Sequence, residues 1–302
     1  MSCIALKVDV DTYEGTRLGT PRLAQLLERL GVGATFLFCL GPDHTGRAIR
    51  RVFRRGFLGK VRRTSVVANY GLRTLLYGTL LPGPHIARRC RSELRRVAEL
   101  GFEVGVHAYD HVRWQDGVSS ADEAWTRREL ARVQQQFAAV FDRPCVVHGA
   151  AGWQMNRFVP ALQRELGIQY ASDTRGVCPF IPVEKGKEIA VPQLPTTLPT
   201  LDELIGREDL AGITPVDHLI SLTAAHPARD QVFTLHAEME GGAYLTDFER
   251  LVRAWQAAGH RICSLGDYYA TLDCAKMPRA AIVSETVAGR SGTLACQAGA
   301  QL

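Results

Sequence analysis

Residues 1–40 follow the order strand, helix, strand, and this order constrains the fold more than any other feature of the chain. A large apolar residue stands at every second position of residues 4–10, which predicts a strand that ends in a polar turn closed by Gly15. Thr20-Pro21 begins a helix with leucines at helical spacing, and residues 34–40 predict a second, fully buried strand. Because strands joined by a helix pair in parallel, the chain opens with a βαβ unit.

The alternation of strand and helix resumes beyond residue 91 and predicts a parallel α/β architecture for the chain. The composition, 46% hydrophobic and 22% charged over 302 residues, is typical of a soluble protein with one large barrel or two modest domains. From about Met277 the pattern weakens, and we expect a loosely held tail. The predicted helices are 92–100, 119–141 (capped by Ser119 or Ser120), 157–166, 216–225 and 245–258, and the predicted strands are 102–107, 145–148, 168–171, 232–236 and 261–264.

Several classes of protein are disfavoured by the sequence. No window approaches the ~18 uninterrupted apolar residues of a membrane span, and the first residues do not have the pattern of a signal peptide. The eight cysteines are scattered and form no CxxC pair. We therefore expect reduced thiols in a cytosolic protein, rather than a disulfide framework or a zinc–thiolate cluster.

Residues 44–85 interrupt the alternation with a basic, amphipathic insertion. No Asp or Glu occurs from His44 to Ser92, whereas twelve Arg or Lys do, although the formal net charge of the chain is only +5. Apolar residues stand between these arginines, which favours an anionic membrane surface or a lipid phosphate over nucleic acid as the partner. The alternative is a solvated helical hairpin that covers the core. The predicted membrane contacts are Arg50, Arg51, Arg54 and Arg55.

Polar side chains collect where the predicted strands end. In a parallel barrel the carboxyl ends of the strands share one rim, so we expect these side chains to lie together. They are Asp9 and Asp11 at the first strand, His107 and His111 at the strand that begins at Phe102, Asp173 after the strand at 168–171, and His236 and Glu238 at the strand at 232–236.

The pair Asp9 and Asp11 brings two carboxylates into one small volume. Side chains two apart in a strand leave on the same face, and close carboxylates repel unless a cation or a shared proton relieves them. A metal site with a neighbouring base would use such a pair, whereas a solvated strand end with two harmless acids is the alternative.

His107 and His111 form an HxxxH pair. On a helical turn this spacing lets both imidazoles face one cation. With a carboxylate from another strand, they make a two-histidine, one-carboxylate set that leaves coordination positions open for water and substrate. The alternative for His107 alone is a hydrogen-bonded core histidine.

The order of these motifs resembles that of the polysaccharide deacetylases, the NodB-homology carbohydrate esterases. The family implies a distorted (β/α) barrel and metal-dependent removal of an acyl group from a sugar. From residue 4 to about residue 296, longer motifs are similar to those of the family's deformylases, which act on undecaprenyl-phosphate-linked 4-deoxy-4-formamido-L-arabinose in lipid A modification. These motifs are Val8–Thr16, Val106–His111, Ala150–Trp153, Ser172–Gly176, Leu198–Thr200, Ile205–Arg207 and Thr234–Gly241.

The resemblance implies a role for five residues. Asp11, His107 and His111 match the ligands of a divalent metal, zinc or a similar transition metal. Asp9 matches the general base, and His236 matches the general acid that protonates the leaving amine. Because Val10 separates two acids that are usually adjacent, the roles of Asp9 and Asp11 could be exchanged.

A second departure concerns the arginine that usually steadies the base. The Arg-Pro motif is missing, and Ala150–Trp153 occupies its place. Arg175 is the candidate substitute by charge alone, with a surface ion pair to Asp173 as the alternative. As supporting residues, Trp153 is expected to stack on the sugar or to pack, and Glu238 to line the sugar pocket or orient His236.

These inferences combine into one prediction. Residues 1–276 form the catalytic barrel, with residues 44–85 facing the membrane, and residues 277–302 form a C-terminal tail. The protein lies peripherally on the cytoplasmic side of the bacterial inner membrane and deformylates a lipid-linked aminosugar; no nucleic acid or protein partner is inferred. A deacetylase of another envelope glycan, such as peptidoglycan, and a barrel that only binds glycan or lipid are the alternatives.

Overall fold

A parallel sheet is the centre of the structure, a computed structural model that describes residues 2–48, 73–189 and 191–300. The strands are β1 Cys3–Val10, β2 Thr35–Cys39, β3 Glu103–Ala108, β4 Val147–His148, β5 Tyr170–Ala171, β6 Ile181–Glu184, β7 Lys187–Glu188, β8 Gln231–His236, β9 Arg261–Cys263, β10 Arg279–Ala280, β11 Ile282–Glu285 and β12 Leu294–Gln297. Seven of them form the sheet in the order β5-β4-β3-β2-β1-β8, with β9 against the start of β1. All its pairings are parallel, so the predicted parallel α/β architecture is confirmed.

The helices connect these strands close to their predicted positions. The longest begins at Glu123 rather than near Ser119, because the Asp122 carboxylate accepts from the Trp125 amide and caps it there. The helices are Thr20–Leu30, Ile86–Arg89, Arg91–Glu99, His111–Gly117, Glu123–Phe141, Val159–Glu165, Leu201–Leu204, Pro215–Ala225, Leu245–Ala257 and Leu265–Tyr269. None of the helices in the described part of the chain is long and apolar enough to cross a bilayer.

Strand β1 lies inside the sheet and is buried along its whole length. Its alternate residues Ile4, Leu6 and Val8 belong to the main core, where burial of such a side chain contributes about 1.5–3 kcal/mol. Lys7 and Asp9 therefore leave the strand on the opposite face, and both are buried. This position places the carboxyl end of β1 between those of β2 and β8.

The two ends of the basic insertion meet beside this end of the sheet. The Gly46 amide donates to Tyr77 O, and the Asp43 amide donates to Pro84 O. A ring nitrogen of His44 lies 2.6 Å from Asp110 Oδ2. The predicted membrane contacts at residues 50, 51, 54 and 55 lie outside the described residues.

The prediction of a loosely held tail is wrong over residues 279–297. Strands β11 and β12 form an antiparallel hairpin, and Leu294 and Cys296 are buried in a cluster with Trp153. The Arg175 amide donates to Ala295 O, and the Gln297 amide donates to Arg175 O. The glycines and serines that weaken the sequence pattern lie mainly between these packed strands. The domain boundary at residue 276 stays a prediction.

Leu294→Ala should lower the free energy of unfolding by about 2–5 kcal/mol, because it leaves a cavity beneath the hairpin. The Leu294 side chain is only 4% exposed and packs in the same cluster as Trp153. Urea denaturation measures the loss. Ser291→Ala, at an exposed position of the same hairpin, is the control and should change stability by less than about 0.5 kcal/mol. Equal stabilities of the two variants would mean that the hairpin is not packed against the Trp153 cluster.

Candidate metal centre

Asp11, His107 and His111 converge at the carboxyl end of the sheet. One ligand atom from each lies within 4.8 Å of the others. Asp11 Oδ1 is 3.2 Å from His107 Nε2, and Asp11 Oδ2 is 3.4 Å from His111 Nε2. The carboxylate thus lies between the two imidazoles, as the sequence prediction required.

Glu238 holds the turn that carries Asp11. Its Oε1 accepts from the backbone amides of Asp11 and Thr12, at 3.0 and 2.9 Å, and from the Thr12 hydroxyl at 2.8 Å. Gly15 makes room for this contact, since a Cβ there would lie 2.0 Å from Glu238 Oε1. Burial, together with the charge of Asp11, raises the pKa of Glu238 to about 8. Glu238 therefore supports Asp11, and its hydrogen bonds go to the turn after β1 rather than to His236.

His107 and His111 are not on one helical turn, as the HxxxH spacing suggested. His107 lies in β3, at an irregularity where Phe38 pairs with Val106 and the next residue of β2 pairs with Ala108. His107 is therefore the extra residue of a bulge, a feature that re-aims side chains next to active sites. His111 is the first residue of the following helix, which is capped by Asp110. A strand end and a helix start thus bring the two rings to a centroid distance of 5.5 Å.

The hydrogen bonding of His107 leaves its Nε2 for a cation. Its Nδ1 lies 2.6 Å from Gly149 O, and only a protonated Nδ1 can donate to that carbonyl. In the neutral ring, the Nε2 lone pair then faces the Asp11 carboxylate, which is also an acceptor. Two acceptors 3.2 Å apart need a proton or a cation between them.

The pKa shifts of Asp11 and His107 also agree with a cation site between them. Burial alone would raise the pKa of Asp11, but His111 and His107 outweigh burial and lower it. Burial alone would lower the pKa of His107, but Asp9 and Asp11 raise it. Among the described residues, no group donates a well-aligned hydrogen bond to Asp11 Oδ1. An orphaned buried oxygen and two imidazoles suit a divalent transition metal, so the residues present fit the metal that the resemblance implies.

Asp9 and His236 lie side by side on neighbouring strands. They are register partners of β1 and β8, which places their backbones about 4.8 Å apart and their side chains on one face. Asp9 Oδ1 lies 3.7 Å from His107 Nδ1, so Asp9 borders the cluster. The Glu240 carboxylate accepts from the His236 amide at 2.9 Å, and burial raises the pKa of Glu240 to about 8. His236 Nδ1 is 3.9 Å from Asp202 Oδ1.

Arg175 does not steady Asp9, contrary to expectation. It is buried, its Nη1 donates to Glu203 Oε1 at 2.5 Å, and its Nη2 donates to Leu198 O at 3.1 Å. The cation beside Asp9 is Lys7, whose Nζ lies 3.2 Å from Asp9 Oδ2.

Asp173 is also not the partner of Arg175. Its Oδ1 lies 2.7 Å from His148 Nδ1 and accepts from the Ala150 amide at 2.7 Å. Its Oδ2 accepts from Gln163 and Gln193. The His148 ring holds the pKa of Asp173 below its usual range, although burial opposes this. Asp173 therefore fixes the segment that follows Gly149, the residue whose carbonyl holds His107.

Trp153 is 1% exposed, so its ring is covered and does not offer a face to a sugar. Three cationic groups lie over it instead: Arg290 at 4.7 Å, Lys7 at 5.0 Å and Arg175 at 5.2 Å from ring centroids. Arg290, which belongs to the C-terminal hairpin, also pairs with Asp202 at 3.1 Å. The hairpin thus reaches the residues behind His236.

Sequence reasoning missed Lys7, Glu240 and Arg290. The alternation of β1 was a usable signal for Lys7, because residues two apart share a face and Lys7 precedes Asp9 by two. No comparable signal marked Arg290, which lies far from the site in sequence and was assigned to the tail.

The chain matches the model of a known protein family over much of its length. The model of the polysaccharide deacetylase family matches residues 2–171, more than half of the chain. The chain belongs to this family. The solved structure of a putative polysaccharide deacetylase from Mycobacterium smegmatis has a TM-score of 0.60 and 16% identity, over 95% of this chain and 96% of that chain. The predicted family and its distorted (β/α) barrel are confirmed, and here the sheet remains an open half-barrel.

Two curated proteins are similar to this chain over most of their own length. The probable 4-deoxy-4-formamido-L-arabinose-phosphoundecaprenol deformylase ArnD of Shewanella sediminis (strain HAW-EB3) is 36% identical, over 82% of this chain and 80% of that protein. The protein of the same name from Wigglesworthia glossinidia brevipalpis is 30% identical, over 94% of this chain and 98% of its own length.

Proposed function

We propose that this polysaccharide deacetylase removes the formyl group from undecaprenyl-phosphate-linked 4-deoxy-4-formamido-L-arabinose, a step in lipid A modification. The observation that carries the proposal is the convergence of Asp11, His107 and His111 beside Asp9 and His236. The two curated relatives, whose names state this reaction, support the choice of substrate.

In this proposal Asp11, His107 and His111 hold a divalent metal, zinc or a similar transition metal. The mixed nitrogen and oxygen ligands suit such an ion. When bound, the ion supplies a Lewis acid that polarises the formyl carbonyl and lowers the pKa of water. Asp11 is preferred to Asp9 as the ligand because its two oxygens lie 3.2 and 3.4 Å from Nε2 atoms of the two histidines.

Asp9 and His236 carry the proton transfers. Asp9 Oδ1 has no well-aligned donor among the described residues, so this oxygen can accept a proton from the attacking water. His236 then donates a proton to the leaving amine nitrogen, a role that suits imidazole near neutral pH. Because the two residues are register partners on adjacent strands and project from one face, both can reach the same acyl group.

The test is the identity of the acid that the enzyme releases. Purified, metal-loaded protein is incubated with the lipid-linked formamido sugar, its acetamido analogue and acetylated peptidoglycan fragments, and formate and acetate are quantified. Formate from the formamido sugar, with little acetate, supports the proposal. Acetate release without formate would favour the alternative deacetylase, and tight binding without either product would favour a binding protein.

We also propose that the protein lies peripherally on the cytoplasmic side of the bacterial inner membrane. Residues 44–85 carry the basic and apolar side chains that anionic lipid attracts. The described ends of this insertion meet near the site, where His44 contacts Asp110, the residue before His111. Leu80, in the same insertion, is 80% exposed, so an apolar side chain is available to the bilayer interface. A membrane-bound insertion would thus bring the lipid-linked sugar close to the metal centre.

Reversal of Arg50, Arg51, Arg54 and Arg55 to Glu should release the protein from anionic vesicles. Each basic side chain near such a surface contributes about 1 kcal/mol, so the partition constant should fall by several orders of magnitude. Co-sedimentation with phosphatidylglycerol vesicles measures it. The matched control replaces the same four residues with Lys, which keeps the charge and should keep binding. Unchanged binding of the Glu variant would remove the arginines from the membrane contact.

A further inference from the structure

Lys7 is a fully buried cation next to the proposed base. It lies in β1, two residues before Asp9 and on the same face of the strand, and its side chain is 0% exposed. Its Nζ is 3.2 Å from Asp9 Oδ2. Nζ makes no hydrogen bond of good geometry to any acceptor in the described part of the chain, so its contact with Asp9 is an ion pair.

The surroundings are built to admit this side chain. A Cβ at Gly149 would lie 3.0 Å from Lys7 Cε, so the glycine leaves the space that the lysine stem fills. The Trp153 ring lies 5.0 Å from Nζ and offers a π face to the charge. A leucine or methionine would fill the same volume without the cost of burying a charge. The retained charge therefore points to a function at Asp9.

The contacts of Asp9 show what this function is. Lys7 holds Oδ2, whereas Oδ1 faces His107 and has no well-aligned donor among the described residues. A carboxylate can rotate about its side-chain torsions, and without Lys7 either oxygen could turn away from the cluster. The other cation considered for this task, Arg175, is bonded to Glu203.

We propose that Lys7 is the positioning residue of the base: it holds Asp9 Oδ2 so that Oδ1 stays beside His107, a residue of the metal centre. The inference rests on the proposed role of Asp9 and deepens it. Lys7 would thus do what the missing arginine does in other members of the family. It lies on the same strand as the base, only two residues before Asp9.

The test compares Lys7→Met, which keeps the length but not the charge, with Lys7→Arg, which keeps the charge. We expect Lys7→Met to lower kcat by about 10²-fold, as for a misplaced catalytic group, with KM and metal content close to those of the wild type. Lys7→Arg should recover most of kcat. A crystal structure of Lys7→Met should show the Asp9 carboxylate rotated from its wild-type position. Wild-type kcat in Lys7→Met, or an unmoved Asp9, would overturn the proposal.

A double-mutant cycle separates action through Asp9 from any other role of Lys7. In an Asp9→Asn background, Lys7→Met should cause no further loss of kcat, because the oxygen that it positions no longer accepts a proton. Independent, multiplicative losses would overturn the proposal. If Lys7→Met folds poorly, Lys7→Leu, which also lacks the charge and any donor to Oδ2, takes its place in the cycle with the same expectation.

A wrong positioning role for Lys7 and a wrong proposed substrate give different experimental results. The kcat of each variant relative to that of the wild type is measured on whichever acylated sugar the wild type turns over. If the wild type releases acetate rather than formate, the comparison between variants still holds. Conversely, a kcat of Lys7→Met equal to that of the wild type rejects the positioning role. In that case, formate release by the wild type still supports the proposed deformylase activity.

Discussion

Asp11→Ala is expected to abolish both bound metal and turnover. Asp11 supplies the only carboxylate in the cluster of ligand atoms found among the described residues, and its oxygens face both histidines. Two imidazoles without this carboxylate lack the third protein ligand that a catalytic site of this type uses. The alanine also removes the negative charge that balances the cation.

Metal content by elemental analysis and acyl release from the same preparation test this prediction. The matched control is Asp43→Asn. Asp43 is also a buried acid near the carboxyl end of the sheet, but its oxygens accept from Tyr13 and Thr45. The control should keep stoichiometric metal. Metal retained at full stoichiometry in Asp11→Ala would reject the proposed ligand set.

His236→Gln should keep the metal and lose turnover. Glutamine preserves the volume and the backbone bond to Glu240, but its amide does not titrate and cannot donate the proton that the leaving amine needs. General acid catalysis contributes about 10²–10⁴-fold, so kcat should fall within this range. The fall should appear in kcat more than in KM, since the proton moves only in the transition state.

Steady-state kinetics with parallel metal analysis measure this effect. His260→Gln is the control, because His260 is also buried but bonds to Ser2 at the opposite, amino end of β1. It should leave kcat unchanged. Near-normal turnover of His236→Gln would exclude His236 as the acid, and loss of metal would show that it is a ligand instead.

Several site residues were predictable because a parallel sheet gathers strand ends. Apolar alternation located β1 and β8, and their polar ends identified Asp9, Asp11 and His236. The rule needs only the order of strands and helices, which the spacing of apolar residues carries. It does not need the angle at which any side chain leaves its strand.

The origin of the histidine pair was not predictable in the same way. The spacing of His107 and His111 suits a helix, but the structure places a bulge and a helix start there. A bulge is decided by how β3 pairs with β2, a contact between segments that lie far apart in the chain. Local spacing therefore selected two residues that do lie close together, but for the wrong geometric reason.

The sequence by itself determined which elements form and which titratable residues stand at their ends, because periodicity and strand order are local properties. Only the tertiary structure decided which charges become partners. It paired Lys7, and not Arg175, with Asp9, and it brought Arg290 of the C-terminal hairpin to Asp202. The physical reason is that ion pairing depends on distance and burial, which are set when packing brings distant segments of the chain together.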